Sequence, residues 1–241
     1  MYTDEERPGR PGSIWLRKER AGRGPAPVHD RAGITAAAIG LADDGGLDAV
    51  TMRKVAAAIG SGATALYRYV ERRDELLELM LDAALDELRF PALTGDARAD
   101  LLAVARELRT VCRRHPWLLD LLQARPPMTP RVAAYLEYAL AAMQHVDAPG
   151  RAKLEAAATV TGMVAMVVRT ELGSAAPTRE REAAQAEYLR EVVAGGGHPH
   201  LAEVVRSSPP GPGDDDLLGR LLPRVLAGLL GGPEPRTPEA R

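Results

Sequence analysis

The sequence predicts an all-α protein, with a small three-helix N-terminal head on a larger helical bundle. Three observations predict it. Ala and Leu dominate, runs of β-branched residues are few, and aromatics make up only 4% of the 241 residues. Apolar residues recur at three- and four-residue spacings along most of the chain. Gly- and Pro-containing breaks at 44–46, 60–62, 91–95, 124–131 and 148–150 cut it into helix-sized lengths.

Residues 1–28 are rich in Arg, Gly and Pro and are expected to form a disordered basic arm. Two readings of it compete. One is a solubilising tail. The other is an arm whose Arg17, Lys18, Arg20 and Arg23 lie along phosphates or enter a minor groove. Ile14-Trp15-Leu16 is an apolar island that is costly to leave in water, so it docks on the body or orders on a partner.

The first helix is expected from Asp30 to about Asp43, burying Ile34, Ala37, Ala38 and Leu41, and ended by Asp44-Gly45-Gly46. The second starts at Thr51, whose hydroxyl can accept from an orphan amide of the first turn. Met52, Val55, Ala56 and Ile59 share its inner face. Gly60 follows directly and can close the helix in the left-handed conformation. A short helix, about Ala63 to Tyr69, comes next. Two helices joined by so short a glycine turn describe a helix-turn-helix.

The surface of that last helix suits a nucleic acid. Leu66 and Val70 face inward, leaving Thr64, Ala65, Tyr67, Arg68 and Tyr69 to point elsewhere. Small residues at Ala63, Thr64 and Ala65 permit close approach to a flat partner, and Ala65 fits a thymine methyl. Arg53 and Arg68 are the candidates for base contacts, because Arg is the side chain that most often reads guanine. Lys54 adds charge. The charge distribution agrees. Residues 7–73 hold 12 Lys and Arg against 6 Asp and Glu, whereas 74–241 hold 19 against 24.

The stretch GITAAAIGLADDGGLDAVTMRKVAAAIGSGATALYRYVERRDELLELMLD, residues 33–82, closely resembles the N-terminal domain of the TetR family of bacterial transcription regulators. The matching pieces are the Ala-rich first helix, the D-x-G-L-x-A-x-T-M-R-K-V-A link, the L-Y-R-Y recognition helix and the R-D-E-L-L start of the fourth helix. The flanking IWLRKERAGRGPAP and RRHPW resemble the subgroup whose regulatory domain is similar to that of the tetracycline repressor. The resemblance implies a DNA-binding domain at 29–75, a regulatory and dimerisation domain at 76–232 and a disordered tail at 233–241. It implies phosphate contacts from Thr51, Tyr67, Tyr69 and Arg73. It further implies that the fourth helix links head to body and that the eighth and last helices pair with their mates across a two-fold axis.

The body follows. A fourth helix, about Asp74 to Phe90, has a broad apolar face, and a fifth runs from about Asp96 to Arg114. Pro116 opens a short helix after it. A seventh runs from Arg131 to about Val146, and an eighth, Arg151 to Leu172, is apolar nearly all round, so both its sides are expected to be buried. A ninth, Thr178 to Ala194, is strongly charged. The Gly- and Pro-rich stretches around Leu201–Arg206 suggest a long mobile region. The last helix, about 214 to 230, carries paired Leu every four positions and needs a partner; Pro223 inside it is expected to kink it.

Candidate contacts for a small-molecule effector are His115, Trp117, Tyr135, Tyr138, Thr159, Met163 and Met166. For His115 the competing reading is a helix-end histidine satisfied locally; for Trp117 it is core packing. The tetracycline repressor holds its drug through magnesium and a histidine on the short helix. Leu121 and Leu122 stand on that helix here, so a magnesium–tetracycline complex is not expected.

Cys112 alone permits no intramolecular disulfide and suits a reducing cytoplasm. No apolar signal segment opens the chain, and the longest apolar-rich run, Ala156 to Val168, is too short to span a bilayer. His198 and His200 in a Gly/Pro loop are weak as metal ligands. No nucleophile elbow, phosphate loop or zinc-protease motif is present, so no catalytic residue, cofactor or metal is assigned. The expected function is a homodimeric transcription regulator, a repressor released from a palindromic DNA operator by a small molecule. The alternative is a helical ligand-binding protein or enzyme whose helix-turn-helix is structural only.

Overall fold

The computed structural model describes residues 14–17, 29–123, 127–174, 179–207 and 216–231. Among these there are eleven α-helices and no strand. The rest of the expected arm and the expected C-terminal tail lie outside the described residues.

The head is built from α1 (Arg31–Gly45), α2 (Met52–Ala58) and α3 (Ala63–Leu66), packed on α4 (Arg73–Leu85). Helices α1 and α2 each start at a side chain that accepts from a free amide of the first turn. The Asp30 carboxylate accepts from Gly33 N at 2.7 Å, and Thr51 Oγ1 accepts from Lys54 N at 3.2 Å. Gly46 ends α1 at φ 69° and Gly60 turns the chain after α2 at φ 66°, a backbone region that disfavours side chains with a Cβ. Ile34, Ala38, Val50, Val55, Leu66, Val70 and Leu76 close the head's core.

The body comprises α5 (Ala97–Arg114), α6 (Leu118–Gln123), α7 (Pro130–Ala142), α8 (Gly150–Ser174), α9 (Arg179–Ala194), α10 (Pro199–Ser207) and α11 (Leu217–Gly231). Helix α8 is its axis, packed by α5, α6, α7 and α11. Asp96, Thr129 and Asp216 cap α5, α7 and α11 through their side chains. No helix among the described residues is long and apolar enough to cross a membrane.

Four expectations change. Residues 14–17, placed in a disordered arm, form a docked turn on the head. Ile14 is buried, and Arg31 Nη1 donates to the Ile14 and Arg17 carbonyls. Burying Ile14 and part of Trp15 outweighs the entropy of ordering so short a segment, while Leu16 stays exposed. Second, residues 199–207 are helical, because Leu201 and Val205 recur on one face of a segment too short for its period to stand out between glycines and prolines. Third, within the single chain α8 is buried on one side only. Leu154 and Met166 are 47% and 46% exposed, since the neighbouring helices cover the opposite face. Fourth, regular α-helix in α3 stops at Leu66, and hydrogen-bonded turns carry the chain to Val70.

Candidate DNA interface and effector region

Helices α2 and α3 present one continuous outward surface. Arg53, Lys54, Ala63, Thr64, Tyr67 and Arg68 are exposed, while Leu66 and Val70, in the same few turns, are fully buried. Thr51 is exposed beside them, and Ala65 and Tyr69 are half-buried at the edges. The buried pair fixes which way the helix faces; the exposed set is what remains. Arg53, Lys54 and Arg68 have no ion-pair partner among the described residues. In the body, by contrast, Arg106, Arg109, Arg114, Arg131 and Arg169 are each paired with a carboxylate. Unneutralised cations on a face of small and aromatic residues can meet phosphates and base edges.

Arg73, expected on a phosphate, is engaged within the head. Its Nε donates to the Val50 carbonyl at 2.9 Å and its Nη2 to the Leu47 carbonyl at 2.8 Å. It fastens the start of α4 to the segment that leads into α2. A neighbouring feature was not legible in the sequence. Glu75 is 3% exposed and accepts from Glu71 N at 2.8 Å, while Arg17 pairs with both Glu75 and Glu71 at 2.6 Å. Burial opposes the Arg17 charge, but the two carboxylates hold its pKa above the usual value.

Chemistry and fold together correspond to known proteins. Residues 34–80 match the family model for bacterial regulatory proteins of the tetR family, and residues 90–230 match the tetracyclin repressor-like C-terminal domain. The chain belongs to the TetR family. It is 35% identical over 225 residues to the HTH-type transcriptional repressor DrrR1 of Streptomyces coeruleorubidus, covering 90% of this chain and 83% of that one. An HTH-type transcriptional regulator of Saccharopolyspora erythraea is 35% identical over 164 residues, 68% of this chain and 69% of the relative. Apo ActR from Streptomyces coelicolor superposes with a TM-score of 0.70 at 23% identity, covering 86% of this chain and 97% of that one; ActR in complex with actinorhodin does so equally well, at 24% identity. This TetR-family chain therefore carries the helix-turn-helix of a transcriptional regulator on an all-helical body.

The residues expected to meet an effector are dispersed. His115 and Trp117 are buried at the border of head and body, where both hydrogen-bond Asp43 of α1. Tyr135 is buried; its hydroxyl donates to the Ala157 carbonyl and accepts from Thr161, and burial pushes its pKa up to about 12. Tyr138 stacks on Phe90 with ring centroids 5.2 Å apart, and its hydroxyl is shielded from solvent with no hydrogen-bond partner among the described residues. Met163 packs partly on the core. Thr159 is half-buried and donates to the Glu155 carbonyl. Thr159 and Met166 lie about half a helical turn or more from Ala157, on the side away from α7. An open groove of about 510 Å³ runs elsewhere, between α5, α8 and the start of α11, where Arg106 and Arg109 face Glu171 and Asp216. None of the seven expected residues lines it.

Proposed function

We propose that this protein is a homodimeric repressor whose two heads read the half-sites of a palindromic DNA operator, and that a small molecule held in the body releases it. The observation that carries the reading is the α2–α3 surface, where Arg53, Lys54 and Arg68, with no ion-pair partner among the described residues, stand around a short helix of small residues. Ala63, Thr64 and Ala65 let that helix enter the major groove, Arg53 and Arg68 reach guanines, and Thr51, Tyr67 and Tyr69 hold phosphates. Arg73 supports this surface from behind through its bonds to Val50 and Leu47.

Dimerisation through α8 and α11 has its own support. Leu154, Met166 and Leu172 are exposed along α8, with Ala158 and Gly162 between them allowing close approach. Val225 and Gly228 are exposed on α11, which packs beside α8. Two adjoining apolar faces suit a self-complementary contact about a two-fold axis. ActR binds actinorhodin, and a ligand of the same kind of bulk within this body, near Tyr135, Tyr138 and Met163, is the corresponding proposal.

The test is a fluorescence titration against labelled duplexes from the protein's own upstream region at several salt concentrations, alongside sedimentation of the wild type and Met166→Glu. Tight binding of a dimer to one palindromic segment, and a monomeric variant with weakened binding, supports the reading. Binding that is weak, equal on every duplex and unaffected by the variant overturns it.

A further inference from the structure

The head reaches the body through α4, which packs on α5, α6 and α7 and whose Asp82 accepts from Arg131 N. A further side-chain contact runs from α1 itself, and the DNA-binding reading does not use it. Asp43 Oδ1, in the last turn of α1, is 2.6 Å from Trp117 Nε1 and 2.7 Å from His115 Nδ1. His115 Nε2 is 3.3 Å from Glu87 Oε1, beyond the end of α4, and Glu87 pairs in turn with Arg114 of α5. His115 and Trp117, at the corner between α5 and α6, are only 5% and 4% exposed. One carboxylate of the head is thus held by two buried donors of the body, across 72 and 74 residues of sequence.

Asp43 is poorly placed for α1 itself. A negative charge in the last turn faces the negative end of the helix dipole, and α1 has no basic residue in that turn. The helix gains nothing locally from an aspartate there, whereas the contact with His115 and Trp117 requires an acceptor there. A body attached by a single helix can pivot about it. A second attachment away from that axis removes the pivot and sets the angle at which the head is presented.

We propose that Asp43, His115 and Trp117 form a latch that fixes the tilt of the DNA-binding head on the body, and so sets the half-site spacing that the dimer accepts. This rests on the operator-binding reading above. The three are positioning residues and touch no DNA.

The experiment uses the full chain and three duplexes: a palindrome selected in vitro from a random pool by the wild type, the same palindrome with one base pair inserted at its centre, and a single half-site. The inserted pair moves and rotates one half-site, so a rigid dimer should lose about 100-fold in affinity. Asp43→Ala removes the acceptor, and Trp117→Phe removes one donor while keeping an aromatic ring in the packed corner. With the latch open, each variant should bind the selected palindrome about tenfold more weakly and lose less than about fivefold on insertion, with half-site affinity unchanged. Variants that discriminate spacing as sharply as the wild type overturn the latch. So does an equal loss on the half-site, which would place these residues in the head's own stability. A wild type that selects no duplex removes the operator-binding reading, and the latch with it.

Discussion

Arg17 Nη2 lies 2.6 Å from Glu75 Oε2, joining a segment upstream of α1 to the first turn of α4. Glu75 also accepts the Glu71 amide, so one buried carboxylate organises the chain between recognition helix and body. Arg17→Ala leaves that carboxylate short of its cation. We expect a loss of about 2 kcal/mol in head stability, measured by urea unfolding, with Arg17→Lys recovering part of it. Equal stability of Arg17→Ala and wild type would mean that water replaces the guanidinium at no cost.

Arg68 and Lys54 should fail in different ways. Arg68→Ala, if it removes a base contact, costs about 1–3 kcal/mol on the preferred operator and relaxes preference at one position. Lys54→Ala, a phosphate contact, should weaken all duplexes alike and lower the salt slope by about one. Titrations against single-base variants at several salt concentrations separate the two; the same pattern for both would refute the assignment.

Asp100 is 2% exposed at the start of α5 and accepts from Thr94 N, Thr94 Oγ1 and Gly95 N. Burial alone would raise its pKa, but these three bonds outweigh it and hold the group below the usual aspartate value. A lowered folded-state pKa stabilises the protein above about pH 4 and loses that contribution as pH falls further. Asp100→Asn should therefore be less stable by about 1–3 kcal/mol at neutral pH, with the gap narrowing below about pH 4. A gap that is constant with pH would contradict the charge-based account.

Cys112 is fully buried in α5, and burial pushes its thiol up to about 12. At pH 8 almost none is thiolate, so iodoacetamide should leave the native protein unlabelled and modify it fully in denaturant. Rapid labelling of the folded protein would show that α5 opens readily.

Much of the head was legible in the sequence. Thr51 as a cap, Gly60 as a left-handed turn, and Leu66 and Val70 as the inner side of the recognition helix all follow from residues within one or two turns of each other, where spacing alone decides contact. The same short-range logic located the helices of the body, α10 excepted, to within a few residues. It had less to say about effector candidates. His115, Trp117 and Met166 were chosen by residue type, and type does not reveal that the first two are held by Asp43 or that the third faces outward from α8.

The sequence by itself determined the helical class, the helix-turn-helix and the outward set of Arg53, Lys54 and Arg68, because caps, glycine turns and the 3.6-residue period act over a few neighbouring residues. Only the tertiary structure decided that Arg73 turns back to Val50 and Leu47, that Arg17 reaches Glu75, and that Asp43 meets His115 and Trp117. Each of those contacts joins elements far apart in the chain. Their partners are set by how the helices pack, which no local pattern encodes.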